Sequence, residues 1–403
     1  MQQDTSPALD ELFAHPAVNV AGAHIVAADD RTLAQQIELT EIPAPPFGEA
    51  ARGKRMAVLL QEAGLEDVRS DEVGNIVALR PGDQAGPPVV IAAHLDTVFP
   101  SGTDLTVRKD GNVLRGPGIA DDGRGLSALL ALARSLTEAD LTTDLPILFA
   151  ATVGEEGNGD LRGVKHLFRD GGEVRSATGF ISLDGAGIRT VVTRGLGARR
   201  FRVVVRGPGG HSWTDQGTPN PIHALGRAIG ALAIWPTPSS PTLTLTVSRW
   251  GGGTSVNSIP AEAWAELDLR SESLEHLDTA EERVRSVLQR SLKEENSEAR
   301  ETSDDLDLDM ILIGERPPGV TPSDSPLVEA ALASTRMFDV EPDLVASSTD
   351  ANFPMSLDIP AITLGAGGMA GDAHTLKEWY RNEGGTEGLQ RALYTTLLTA
   401  GVV

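Results

Sequence analysis

Apolar positions in "NVAGAHIVAADDRTLAQQIEL" recur at helical spacing, so residues 1–40 are read as helical. "TEIPAPPFGEA" then breaks the pattern, because Pro43, Pro45 and Pro46 cannot continue a helix. Glu49 to Ala63 is amphipathic and stops at Gly64. "EDVRSDEVGNIVALRP" alternates like a strand pair with a turn at Gly74-Asn75. Apolar runs at 89–93, 146–152 and 179–183 read as buried strands, and 123–138 and 162–170 read as helices. Strands alternating with helices predict an α/β sheet covered on both faces.

The pattern changes near residue 195. "GARRFRVVVRG" reads as a strand, "PIHALGRAIGALAIW" as a helix, "TLTLTVSRW" and "AEAWAELDLRS" as strands, and "LEHLDTAEERVRSVLQRSLKEE" as a helix. That order predicts a small α+β layer with two helices on one face of a sheet. "SPLVEAALASTRMF" then restarts helix and "IPAITLG" restarts an apolar strand. The expected organisation is an α/β domain, residues 1–194 and 311–403, interrupted by an inserted domain at 195–310. "SEARETSDDLDLD" is read as an acidic mobile or edge segment.

Composition narrows the function classes. A chain of 403 residues with 40% apolar content supports two domains with proper cores. The net charge of -23 argues against nucleic acid and anionic membranes, which demand a cationic face. With no cysteine there is no thiolate chemistry and no disulfide. No apolar run reaches membrane-spanning length. The first residues lack the basic and apolar regions of a signal peptide, so a cytoplasmic location is expected.

The chemistry-bearing residues follow the strands. His94-Leu95-Asp96 comes after 89–93, Gly154-Glu155-Glu156-Gly157 after 146–152, and Asp184-Gly185 after 179–183. Asp121-Asp122-Gly123 follows a turn, and His374 follows the late strand and a glycine loop. In α/β sheets the carboxyl ends of strands open onto the ligand crevice, so these five segments are expected to converge. Singly, each has a bland explanation: an aspartate after a strand is often a turn former or helix cap, and a glutamate pair in a loop is often solvated. Together, crowded carboxylates repel unless a cation joins them. Histidine, aspartate and glutamate suit zinc, cobalt or manganese. Two histidines with several carboxylates suggest two ions rather than one.

The set "HLDTV", "GPGIADDGRG", "GEEG", "LDG" and "AHT" resembles the M20 family of co-catalytic zinc peptidases, from His94 to His374. That family includes tripeptidase, glutamate carboxypeptidase, acetylornithine deacetylase, succinyl-diaminopimelate desuccinylase and aminoacylase. The resemblance implies a mixed-sheet catalytic domain with an inserted lid and dimerisation domain. It implies His94 and Asp184 on one metal, Glu156 and His374 on the other, and Asp121 bridging them, with a cis bond before Asp122. Asp96 is implied to orient the His94 imidazole, and Glu155 to be the general base. In the inserted domain, His211 of "GPGGHSW" is implied to steady the oxyanion in the partner's site of a homodimer. Asn257 of "TSVNSIP" is implied to bind substrate, and Arg270 of "LDLR" to clamp a substrate carboxylate, for which its planar fork is suited.

The expected enzyme is therefore a metal-dependent amidohydrolase acting on a short peptide or an N-acyl amino acid. "TVGEEGNGDLRG" looks closer to tripeptidases than to the acetylornithine branch, which favours an exopeptidase, with a deacylase as the alternative. A metal-binding dimer without catalysis would have no need of Glu155. Asp350 and Asn352 in "SSTDANFP" are read as ordering the pocket, and Glu378 as a support for His374. His15, His24, His166, His223 and His276 fall outside the motifs and are read as structural. "LGAGGMAG" mimics a dinucleotide-binding turn, but no further strand and acidic residue follow as such a site needs.

Overall fold

The computed structural model describes residues 7–172, 174–301 and 303–403. It divides into two compact units, Met1–Gly195 with Gly319–Val403, and Leu196–Pro318.

The first unit is built on a mixed sheet of nine strands among the described residues. Its centre is parallel: Ile147–Thr152, Val89–His94, Gly179–Leu183 and Ala361–Leu364 lie side by side in that order. Antiparallel strands extend both sides, Ile76–Arg80 next to Ile147–Thr152 and Thr190–Gly195 next to Ala361–Leu364. The central strands are apolar throughout because both faces are covered. Val89, Ile91 and Ala93 point into one core with Ile147, Phe149 and Ala151, while Val90 and Ala92 point into another with Leu148 and Ala150.

Helix Gly123–Glu138 lies in the first core and is buried from Gly123 to Leu136. The carboxyl ends of the central strands are in register: His94 is opposite Thr152, and Leu364 is opposite Leu183. The residues that follow them therefore emerge at one edge of the sheet.

The predicted helical stretch before residue 41 forms three helices, Pro7–Phe13, Pro16–Ala27 and Asp29–Thr40; residues 1–6 lie outside the described residues. A second small sheet joins Arg108–Asp110, Val113–Arg115, Trp379–Arg381 and Met369–Gly371. Its strands are three residues each, too short to leave a periodic signal.

The second unit is a four-stranded antiparallel sheet in the order Leu243–Gly252, Glu262–Ser271, Gly197–Arg206, Asp307–Arg316. Helices Pro221–Ala233 and Leu274–Ser297 pack on one face, over Phe201, Val203, Val205, Ala265, Leu267 and Leu269. The opposite face carries charge: Arg202 lies over the Trp264 ring and pairs with Glu266 at 2.8 Å. The expected boundary at 310 cuts through the last strand. The acidic run continues into it, and Leu308 and Met310 turn towards the core.

Candidate metal centre

Five of the residues singled out in the sequence meet at the strand ends of the first unit. His94 ends the central strand and is buried. Its Nε2 lies 3.0 Å from Asp121 Oδ1 and 4.0 Å from Asp184 Oδ1. The Nε2 of His374 lies 3.0 Å from the other oxygen of Asp121 and 2.8 Å from Glu156 Oε1. One carboxylate thus offers an oxygen to each of two imidazoles, with a further carboxylate beside each ring. Ligand atoms of His94, Asp121 and Glu156 all fall within 4.8 Å of one another, as do those of His94, Asp122 and Asp184.

The charge balance favours cations. Asp96, Asp121, Asp122, Glu156 and Asp184 gather around two imidazoles. Arg52 is fully buried nearby, but its guanidinium donates to the backbone carbonyls of Thr40, Ile42 and Leu95. Burial works to lower the His94 pKa, but Asp122 and Asp121 outweigh it and hold it well above its ordinary value. Burial would likewise raise Asp121, yet its bonds with His374 and His94 hold it below the usual carboxylate range. Asp184 is pushed up to about 7 by burial and by Asp121. The bonds to Asp121 and Glu156 push His374 up to about 10. An imidazole that keeps its proton this firmly is balancing excess negative charge. A divalent ion does so more fully, so the residues present fit the metals that the sequence implies.

Backbone geometry delivers these groups. The Asp121-Asp122 peptide bond is cis. Gly154 begins the Glu155-Glu156 turn at φ +68°, and a Cβ there would stand 2.0 Å from Arg162 Nη1. His374 itself sits in the left-handed region at φ +63°. Nδ1 of His94 is 3.0 Å from the carbonyl oxygen of Asp96, which leaves Nε2 to face the carboxylates.

Asp96 meets this ring through its backbone. Its nearest carboxylate oxygen is 3.8 Å from His94 Nδ1, beyond hydrogen-bond reach. The carboxylate instead accepts the backbone N–H of Glu155 at 2.9 Å and of Glu156 at 2.8 Å. Burial pushes the Asp96 pKa up, against the pull of His94 and these two bonds. The carbonyl thus faces the imidazole, and the carboxylate bonds to the glutamate turn.

Two residues carry more than sequence reasoning assigned them. Asp122 is fully buried and accepts N–H groups from His94 at 3.0 Å, Gly125 at 2.9 Å and Gly185 at 3.2 Å. It caps helix Gly123–Glu138 and ties three segments of the site together. Both of its oxygens accept backbone N–H groups, so it acts as a brace for the site. The signal was present: an aspartate directly before a helix. Glu378 does not turn to His374; its carboxylate accepts N–H groups of Gly118, Ala120 and Asp121. Asp350 is buried and accepts from Thr152 Oγ1 at 2.6 Å, while Asn352 Oδ1 accepts the N–H of Thr349 at 3.0 Å.

A model of peptidase family M20/M25/M40 matches residues 90–398. The chain belongs to this family. It is 25% identical over 290 residues to the cytosol non-specific dipeptidase of Escherichia coli K12, covering 64% of this chain and 57% of that relative's length. Among solved structures, a tripeptidase from Staphylococcus aureus superposes with a TM-score of 0.75 at 20% identity, covering 92% of this chain and 98% of that one. A dinuclear metal-binding peptidase of the M20 family from Bacillus subtilis gives 0.68 at 17% identity, covering 94% and 99%. The mixed α/β architecture is that of the family. Among the described residues no helix is long and apolar enough to cross a membrane.

The remaining sequence candidates belong to the second unit. Gly210–His211 pairs with Ser258–Ile259, and the N–H of Ser212 donates to the Asn257 carbonyl at 3.1 Å, so His211 and Asn257 sit on adjoining segments. His211 is exposed, and its Nδ1 accepts the N–H of Trp213 at 3.1 Å. In the neutral ring the proton is therefore on Nε2, which leaves an N–H to donate. Arg270 Nε is 2.7 Å from Asp268 Oδ2, so the expected carboxylate clamp already shares its guanidinium with an acid.

Proposed function

We propose that this chain is a two-metal amidohydrolase acting as an exopeptidase on short peptides. The observation that carries the reading is the single carboxylate of Asp121 spanning two imidazoles, 3.0 Å from each. His94 and Asp184 would hold one divalent ion, Glu156 and His374 the other, and Asp121 both. Zinc is the favoured identity, with cobalt or manganese also suited to these ligands. Bound there, the ions supply polarisation of the scissile carbonyl and acidification of a water.

Glu155 takes the proton of the attacking water on its carboxylate and passes it to the leaving amine. The placement of Glu155 on a turn held by Asp96 supports this role. Nε2–H of His211 from the partner subunit of a homodimer donates to the carbonyl oxygen as that oxygen gains charge. Asn257 and Arg270 bind the substrate, Arg270 by exchanging Asp268 for the substrate carboxylate.

The dipeptidase and tripeptidase names of the related proteins favour peptides over N-acyl amino acids. Assay of the purified protein with Leu-Gly-Gly, dipeptides and N-acetyl amino acids, with added zinc, cobalt or manganese, tests the reading. Hydrolysis of the peptides is expected. Turnover confined to N-acetyl amino acids would make the chain a deacylase instead.

A further inference from the structure

Glu378 is fully buried, four residues beyond His374. Its Oε1 accepts the N–H groups of Ala120 at 2.9 Å and Asp121 at 3.0 Å, and its Oε2 accepts that of Gly118 at 2.8 Å. Its own carbonyl accepts the N–H of Gly116 at 3.1 Å. The next residue, Trp379, pairs with Arg115 in the small sheet. The chain from 115 to 121 is thus laid along Glu378 and Trp379. On the other side, the turn from His374 is closed by N–H bonds from Thr375 to the Asp372 carbonyl and from Glu378 to the Thr375 carbonyl, both at 3.2 Å.

Among the described residues no arginine or lysine pairs with Glu378. Its burial is compensated by backbone N–H groups, all of them on the segment that presents Asp121. A buried carboxylate with three such donors is held in place by charge-assisted bonds, and it holds the donors in turn. A residue kept only to fill space at this position would not need to be charged.

We propose that Glu378 is a positioning residue that fixes the separation of Asp121 and His374, and so tunes the second metal site without touching the metal. The inference rests on the two-ion reading above. Glu378→Gln keeps the shape but turns an amide nitrogen towards backbone N–H groups, which breaks at least one of the three bonds. Outer groups that orient metal ligands typically govern affinity by about 10–100-fold.

The test is titration of the metal-free protein with cobalt, followed by calorimetry and by visible absorption. In Glu378→Gln the ion held by Glu156 and His374 should bind about 10–100-fold more weakly. Leu393→Ala, in the apolar core on helix Gly385–Ala400 and outside the bonds to Glu378, serves as control: it should lower the melting temperature and leave both affinities unchanged. Wild-type affinities for both ions in Glu378→Gln would overturn the proposal, as would equal weakening in Leu393→Ala. Should Glu378→Gln fail to fold, hydrogen exchange in the metal-free wild type decides. Slow exchange of the Gly118, Ala120 and Asp121 amides supports the clamp, and rapid exchange refutes it. Uptake of fewer than two ions by the wild type would instead overturn the two-ion reading, and the exchange measurement would still judge the clamp.

Discussion

Replacing Asp96 with asparagine separates two accounts of a residue that follows His94, a proposed metal ligand, by two positions. The side chain is fully buried, and each carboxylate oxygen accepts one backbone N–H, from Glu155 and Glu156. Asparagine preserves the shape but offers one acceptor and one donor group. One of the two N–H groups would then face an amide N–H, losing its bond and staying unpaired. A hydrogen bond to a charged group contributes about 1.5–3 kcal/mol, and a buried unsatisfied donor costs about 1–3 kcal/mol. A loss of about 3 kcal/mol at the glutamate turn corresponds to roughly 100-fold in a rate or affinity that depends on that turn.

The contact to His94 is made by the Asp96 carbonyl, which asparagine retains. Asp96→Asn is therefore expected to lower kcat about 100-fold and weaken the ion held by Glu156, while the ion held by His94 and Asp184 keeps its affinity. Steady-state kinetics with cobalt titration, and imidazole nitrogen shifts of His94 by NMR, provide the readout. Selective loss of the His94 ion, with an altered His94 tautomer and normal binding at Glu156, would refute the reasoning.

Other expectations follow from the same geometry. Glu155→Gln should reduce turnover about 100–10,000-fold with the metal content unchanged, measured by kinetics and metal analysis on one sample. In the metal-free protein His374 is raised to about 10 and Asp184 to about 7, so at neutral pH His374 holds a proton and Asp184 holds one about half of the time, and ligation must displace them. Metal affinity should therefore rise with pH through this range, and calorimetry in buffers of different ionisation enthalpy should show proton release. For stability the sign runs the other way. A raised His374 stabilises the metal-free fold fully below its unfolded pKa of about 6.5 and ceases to do so as pH rises through about 10. His211→Ala should lower kcat more than it raises KM, and light scattering should give a dimer mass; a monomer under active conditions would remove the role of His211 in trans.

Much of the first unit was legible because a strand covered on both faces must be apolar along its whole length. The runs at 89–93 and 146–152 mark such strands, and the polar residues after them mark the sheet edge where the site lies. The family motifs lie at those ends. What stayed hidden was where each carboxylate points. Asp96 lies two residues from His94, yet its carboxylate turns to a segment some 60 residues on. Glu378 lies four residues from His374 and turns to a segment about 260 residues back. Neither target leaves a mark in local spacing, because each depends on how distant segments meet. The small sheet was missed because its strands are three residues long. The strand Asp307–Arg316 was obscured by the acidic run leading into it.

The central claim is that one carboxylate, Asp121, is shared by two divalent ions that the enzyme needs. The most direct measurement is the number of metal ions per chain in active protein, in the wild type and in Asp121→Asn, taken alongside peptide hydrolysis. Two ions per chain in the wild type, and loss of both tight binding and turnover in Asp121→Asn, are predicted. Full peptide hydrolysis by a chain shown to carry no metal, or by Asp121→Asn, would contradict the account.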